Sequence, residues 1–222
     1  MAKISSALAV GASLVFLILG SHGDARADAI PYPNPGTINS ATYTFTAATS
    51  GDVIAYFAGG RNAGYDNKVG LLINGVDHGI YGLDNHHSNI GDQFDFGPAN
   101  AGDVLTFVLQ SNDGSSINTI YSDPSLNLAY DGSAGHQHVY ATPYSATSPI
   151  PAGFDSIPAG LFVAFEDQRF PSSDFNYNDE DFVVPNVNVS VPGPVVGAGL
   201  PGLMMAGSGF IALMRRRRQH AA

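Results

Sequence analysis

Between residues 30 and 190 the apolar residues fall in short runs cut by glycine, proline, asparagine and aspartate. No long stretch there keeps a helical period. Ten runs read as strands: Ala41 to Thr46, Val53 to Ala58, Val69 to Ile73, Gln93 to Phe96, Val104 to Gln110, Ile117 to Tyr121, His138 to Tyr140, Leu161 to Phe165, Phe182 to Val184 and Val187 to Val191. Short strands at this spacing, with turns between them, predict an all-β fold: one β-sandwich or jelly-roll-like domain over residues 30–190. Asn74-Gly75 between Ile73 and Val76 supplies both positive-φ positions of a tight hairpin. Gly-Asp precedes an apolar run twice, at Gly51-Asp52 and Gly102-Asp103, which reads as one common turn used twice.

The last third carries the chemistry. From Phe165 to Phe182 six carboxylates and two asparagines lie between two apolar strands, forming an acidic motif over residues 161–184. Asp174, Asn176 and Asn178 alternate with Phe175 and Tyr177, so an extended backbone would turn oxygens one way and rings the other. Hard cations take six to eight oxygen ligands from carboxylates, amides and backbone carbonyls. The predicted Ca²⁺ ligands are Glu166, Asp167, Asp174, Asn176, Asn178, Asp179 and Asp181. Asp174, Asn176 and Asn178 form the core of that set, and Glu166 or Asp167 closes it from the strand end. Glu180 is expected to face solvent. The spacing excludes an EF-hand: counted from Asp174, its obligatory glycine and glutamate positions hold Asp179 and Pro185. Without an ion the stretch would be a solvated acidic turn.

Charge and composition narrow the function further. From Ile30 to Ser190 there are 17 acidic and 3 basic side chains (Arg61, Lys68, Arg169), a balance that repels nucleic acid and favours cations. With no cysteine, the domain relies on its core or on bound metal and has no thiol nucleophile. No nucleophile elbow, zincin motif or phosphate loop occurs. The expectation is therefore a protein that is not an enzyme, with a secreted hydrolase as the enzymatic rival. Glu166 with Asp181 would be its carboxylate pair. A second rival is a lectin-like carbohydrate-binding module using Tyr65, Tyr81 or Tyr144 as stacking platforms. His136 and His138, two apart on a strand, would share a face and could join a Zn²⁺ site only with a distant third ligand.

The two ends read as targeting segments. Residues 1–29 form a secretory signal peptide: Lys3, an apolar stretch from Ala7 to Leu19, then a small-x-small cut at Ala27-Asp28-Ala29. Ile30 to Gly36, with three prolines, is a leader arm that cannot hold a ladder. At the other end Val195 to Met214 is twenty residues without charge, long enough to cross a bilayer, and Arg215 to Arg218 follow at once. The positive-inside rule keeps those arginines cytoplasmic and the β domain outside.

Two resemblances add to this. Ala164-Phe165-Glu166-Asp167, Asp174 to Asp179, Ser125-Leu126-Asn127 and His136 to Tyr140 resemble an uncharacterised domain family of exported bacterial proteins. That family's pattern runs Gly-Phe-Glu-Asp, a short loop, then Asp-x-Asp-x-Asn-Asp. Ala164 replaces its glycine and Asn176 its second aspartate. The tail from 191 to 222, with Val-Pro-Gly-Pro, one apolar helix and four arginines, resembles the PEP-CTERM sorting signal. Gly193 stands where that signal has glutamate. The second resemblance implies an exosortase-type sorting enzyme as partner and an association with exopolysaccharide. It also implies residence at the cell surface or outside the cell once the tail is removed, and membrane attachment through residues 195–214 until then.

Overall fold

A computed structural model describes residues 37–132, 134–145 and 153–191. The signal peptide, the leader arm and the sorting tail with its apolar span lie outside them. Among the described residues no helix is long and apolar enough to cross a membrane.

The runs of alternating residues become eleven antiparallel strands in two sheets. They are β1 (Thr44–Ala47), β2 (Gly51–Gly59), β3 (Asp66–Ile73), β4 (Val76–Gly82), β5 (Gln93–Ala99), β6 (Val104–Asn112), β7 (Ile117–Tyr121), β8 (Val139–Tyr144), β9 (Gly160–Phe165), β10 (Glu180–Val184) and β11 (Val187–Ser190). One sheet has the order β11-β1-β6-β3-β4, with β7 also on β6; the other runs β5-β2-β10-β9-β8. The predicted hairpin is present: Ile73 pairs with Val76, and Asn74 (φ 50°) and Gly75 (φ 79°) make the turn.

Several strands run further than the sequence predicts, two of them through a proline. β5 continues through Gly97-Pro98, and β8 begins at Val139 and runs through Pro143 to Tyr144. Both lie at the edge of their sheet, where a missing proline N–H costs no ladder bond. One helical turn, α1 (Leu128–Asp131), follows Asn127, whose buried side chain bonds Tyr121 N, Tyr121 O and His136 O. At a single turn it is too short to leave a period in the sequence.

The sheets meet through their alternate residues. Val53, Ala55 and Phe57 of β2 and Leu105, Phe107 and Leu109 of β6 share one core with Leu161, Val163 and Phe165 of β9 and Phe182 and Val184 of β10. Phe107 meets Phe182 edge-on at 5.2 Å across the sheets. Each such ring contributes roughly 1.5–3 kcal/mol by leaving water. The outer face of the second sheet is covered too. Phe162, Ala164 and Val183 pack there with Phe154, Ile157 and Tyr177. β10 is thus buried along its whole length and β9 along all but its first residue. A strand covered on both sides reads as a continuous apolar run rather than an alternating one, as Leu161 to Phe165 does. β10 breaks that rule at its first two residues, Glu180 and Asp181.

Candidate metal centre

The acidic motif forms where β9 and β10 leave the ladder. The last rungs are Glu166 N to His138 O (2.9 Å) and Asp179 N to Phe165 O (3.0 Å). Beyond them Asp167 N donates to Asp179 Oδ2 at 2.8 Å, which holds the two carboxylates side by side. Glu166, Asp167 and Asp179 each offer an oxygen within 4.8 Å of the others, and all three are buried. A buried acidic triad of this kind could hold a metal ion. Among the described residues it is the one such grouping, and it contains no histidine.

Residues distant in sequence build the walls. Asn67, from the opposite sheet, donates through Nδ2 to Asp167 Oδ2 (2.8 Å) and Asp179 O (3.2 Å). Asn85 braces it: Asn67 N donates to Asn85 Oδ1 at 2.9 Å, and Asn85 Nδ2 reaches the carbonyls of Tyr65 and Gly60. Tyr130 OH donates to Asp167 O at 2.7 Å. His138 Nδ1 donates to the Glu166 carbonyl at 2.9 Å, while its Nε2 lies 3.1 Å from Asp131 Oδ1. His136 and His138 therefore converge on Asp131, and His136 also stacks on Phe170 at 4.0 Å.

Gly60 closes the floor. It sits at φ 112°, and a Cβ there would come within 2.5 Å of Asp179 O. Only glycine satisfies both conditions.

The energetics of this end are unusual. Burying a carboxylate costs several kcal/mol even after relaxation, and a hydrogen bond to a charged group restores about 1.5–3. Glu166 receives such bonds from Gln168 N and Asn176 N, each at 3.2 Å, and from the Ser173 side chain. No lysine or arginine is buried among the described residues. Burial, joined by the charges of Asp174 and Asp167, pushes the Glu166 carboxyl up to about 7. Burial and then the charges of Asp167 and Glu166 push Asp179 up to about 9. Burial raises Asp167 as well, against the bonds from Asn67 and Asp179. Without a cation this end takes up protons near neutrality, and a divalent ion would release them.

The other predicted ligands are placed differently. Asp174 and Asn178 are exposed and Asn176 half-buried. Their oxygens serve the local backbone: Asn176 N donates to Asp174 Oδ1 (3.2 Å) and Asn178 N to Asn176 Oδ1 (3.1 Å). These are successive Asx turns, so the backbone is not extended as the alternation implied. Phe175 (φ 57°) and Tyr177 (φ 49°) take the left-handed conformation between them. Tyr177 holds its place because its ring is fully buried, and its hydroxyl donates to Gln137 O while accepting from Asn39 N. Asp181 is buried with its carboxylate against Gly59 of β2, its register partner.

Two expectations are overturned outright. Glu180 does not face solvent; it is fully buried on β10 opposite Phe165. Tyr144 is 4% exposed and packs with Phe154, so it offers no stacking platform. Tyr81 is half-buried, with its hydroxyl on Asp77, and Tyr65 lines an open polar cleft of about 390 Å³ with Tyr130, Asn118, Gln168 and Arg169.

Asn67 and Asn85 went unread in the sequence. A signal for the first existed: Asn67 shares parity with Val69, Leu71 and Ile73, so a polar side chain stood at an inward position. No protein-family model, curated protein or solved structure matches the chain.

Proposed function

We propose that the chain is an exported, surface-sorted β domain that binds Ca²⁺ at one end of its sandwich and acts as a structural or adhesive element of the cell envelope or exopolysaccharide matrix, without catalysis of its own. The observation that carries this reading is the convergence of the buried carboxylates of Glu166, Asp167 and Asp179. The donors are all oxygen, which suits Ca²⁺ rather than the transition metals that imidazole and thiolate favour. An ion shared by these carboxylates leaves them poor agents of proton transfer, which argues against a hydrolase built on Glu166.

Export rests on residues 1–29, and sorting on the PEP-CTERM-like tail with its apolar segment 195–214 and terminal arginines. An exosortase-type enzyme would release the domain to the cell surface or the medium; before that the tail anchors it with the domain in the periplasm.

One observation favours a carbohydrate-binding role beside the structural one. The cleft at Tyr65 offers that ring, two amides and the Arg169 guanidinium, which lies over the buried Tyr130, and Tyr130 is bonded to Asp167 of the triad. A glycan array read with and without Ca²⁺ separates a lectin from a purely structural domain.

The test of the ion itself is thermal. An ion that binds only the folded state at 100 times its Kd stabilises it by about 2.7 kcal/mol. Melting in EDTA should therefore fall several degrees below melting in millimolar Ca²⁺, with Mg²⁺ restoring little because it demands tighter octahedral geometry. Coincident curves in EDTA and Ca²⁺ would end this reading.

A further inference from the structure

Glu180 stands apart from every other carboxylate in the described residues. It is wholly buried, and neither of its oxygens meets a hydrogen-bond donor. On β10 it pairs with Phe165 and precedes Phe182 by two, so it lies on the face that meets the other sheet. Asn67, on the inward parity of β3, reaches the same end, where its Nδ2 bonds the carbonyl of Asp179, the residue before Glu180. The Asn67 amide is fixed in orientation because both atoms near its Nδ2 are acceptors, Asp167 Oδ2 and Asp179 O. Its Oδ1 is therefore turned away from them, and it too is buried without a donor.

Three buried oxygens without donors, two of them on a carboxylate, thus lie at one end of the inter-sheet space. The acidic groups acting on Glu180 are Asp181, Asp84, Asp167 and Asp179. Of these Asp84 is committed to Lys68 and His87 on the surface side.

We propose that this end of the sandwich holds a second divalent cation, ligated by both carboxylate oxygens of Glu180 and by Asn67 Oδ1. Geometry separates it from the first. Ligands of one Ca²⁺ at about 2.4 Å lie no more than about 4.8 Å apart, and Glu180 is outside the group whose oxygens converge within 4.8 Å. Charge agrees. Two divalent ions offset four of the five buried carboxylates Glu166, Asp167, Asp179, Glu180 and Asp181, where a single ion offsets two. Asn67 then has a double role: its Nδ2 orients the first site's Asp167 and its Oδ1 ligates the second ion. The charge count rests on the first site being occupied; the unsatisfied oxygens of Glu180 and Asn67 do not.

Stoichiometry decides the matter. The full chain, stripped by chelator and titrated with Ca²⁺ in a calorimeter, should bind two ions, and Glu180→Gln should bind one. Glutamine keeps the shape and removes the charge. Should that variant misfold, native mass spectrometry of the wild-type chain still reads two ions or one. A single ion in the wild type, unchanged in Glu180→Gln, overturns the second site and makes Glu180 a buried neutral acid, while leaving the first site standing. No ion in either chain removes both. A single ion lost entirely in Glu180→Gln would place Glu180 in the only site and also overturn the proposal.

Discussion

The exposed loop Asp174–Asn178 and the buried floor formed by Glu166, Asp167, Asp179 and Glu180 use the same chemistry within fifteen residues of chain, yet they are held by opposite means. In the loop Asp174 Oδ1 and Asn176 Oδ1 each accept from the backbone N–H two residues on, so these partners are local. On the floor Glu166 keeps a local partner in Gln168 N, but Asp167 is held from afar. Asn67 is 100 residues from Asp167, and Tyr130 is 37 away. Acidic residues near one another in sequence are thus not one site, and burial decides which of them demand a counter-charge.

The strongest break of that contrast is at Gly60, which no local rule marks as part of the floor. Gly60→Ala places a side chain at φ 112° and drives Cβ into the Asp179 carbonyl. Backbone strain of ~2 kcal/mol and overpacking of similar size together predict a loss of about 4 kcal/mol. Urea denaturation should show it with or without Ca²⁺, and a neutral substitution would mean the floor is far looser than described.

A second effect comes from pH and acts on the floor. Glu166 and Asp179 titrate higher in the folded chain than their ordinary values, to about 7 and about 9. Groups raised in this way hold more protons folded than unfolded, so in chelator their contribution is full below about pH 4 and is lost as pH climbs through 7 and 9. In Ca²⁺ the slope reverses, because the ion binds the ionised carboxylates and its contribution fails as pH falls below 7. Melting temperatures from pH 5 to 9 in both buffers should therefore diverge upward with pH. Parallel profiles would show that the floor does not exchange protons for metal.

The smallest effect is expected at Asp174, which the sequence ranks first among ligands. Exposed and bonded only within its loop, Asp174→Ala should change stability by about 0.5 kcal/mol at most and leave the Ca²⁺-dependent rise in melting temperature intact. Loss of that rise would bring the loop into the site.

What the sequence made legible follows from range. Alternation, the Asn74-Gly75 turn and the apolar runs of β9 and β10 are local signals, and they placed the strands. Glu166, Asp167 and Asp179 were visible as acids beside a buried strand. Which of seven oxygen donors would converge was not legible. It depends on the left-handed turns at Phe175 and Tyr177, and those are fixed by a tyrosine hydroxyl reaching Asn39 and Gln137. Glu180 misled for a related reason. A charge at the mouth of an acidic loop reads as solvated until the second layer over β9 and β10 is known.

The pairing of β1 with β11, Thr44 opposite Ser190 and Ala47 opposite Val187, bears on when the molecule can form. The first strand of the described chain finds its outer neighbour only after the last has appeared. The contacts that close both sheets span most of the sequence, the class of topology that folds slowly. A chain emerging from its amino end has no early stopping point at which the first sheet is finished. It stays open until β11 is present.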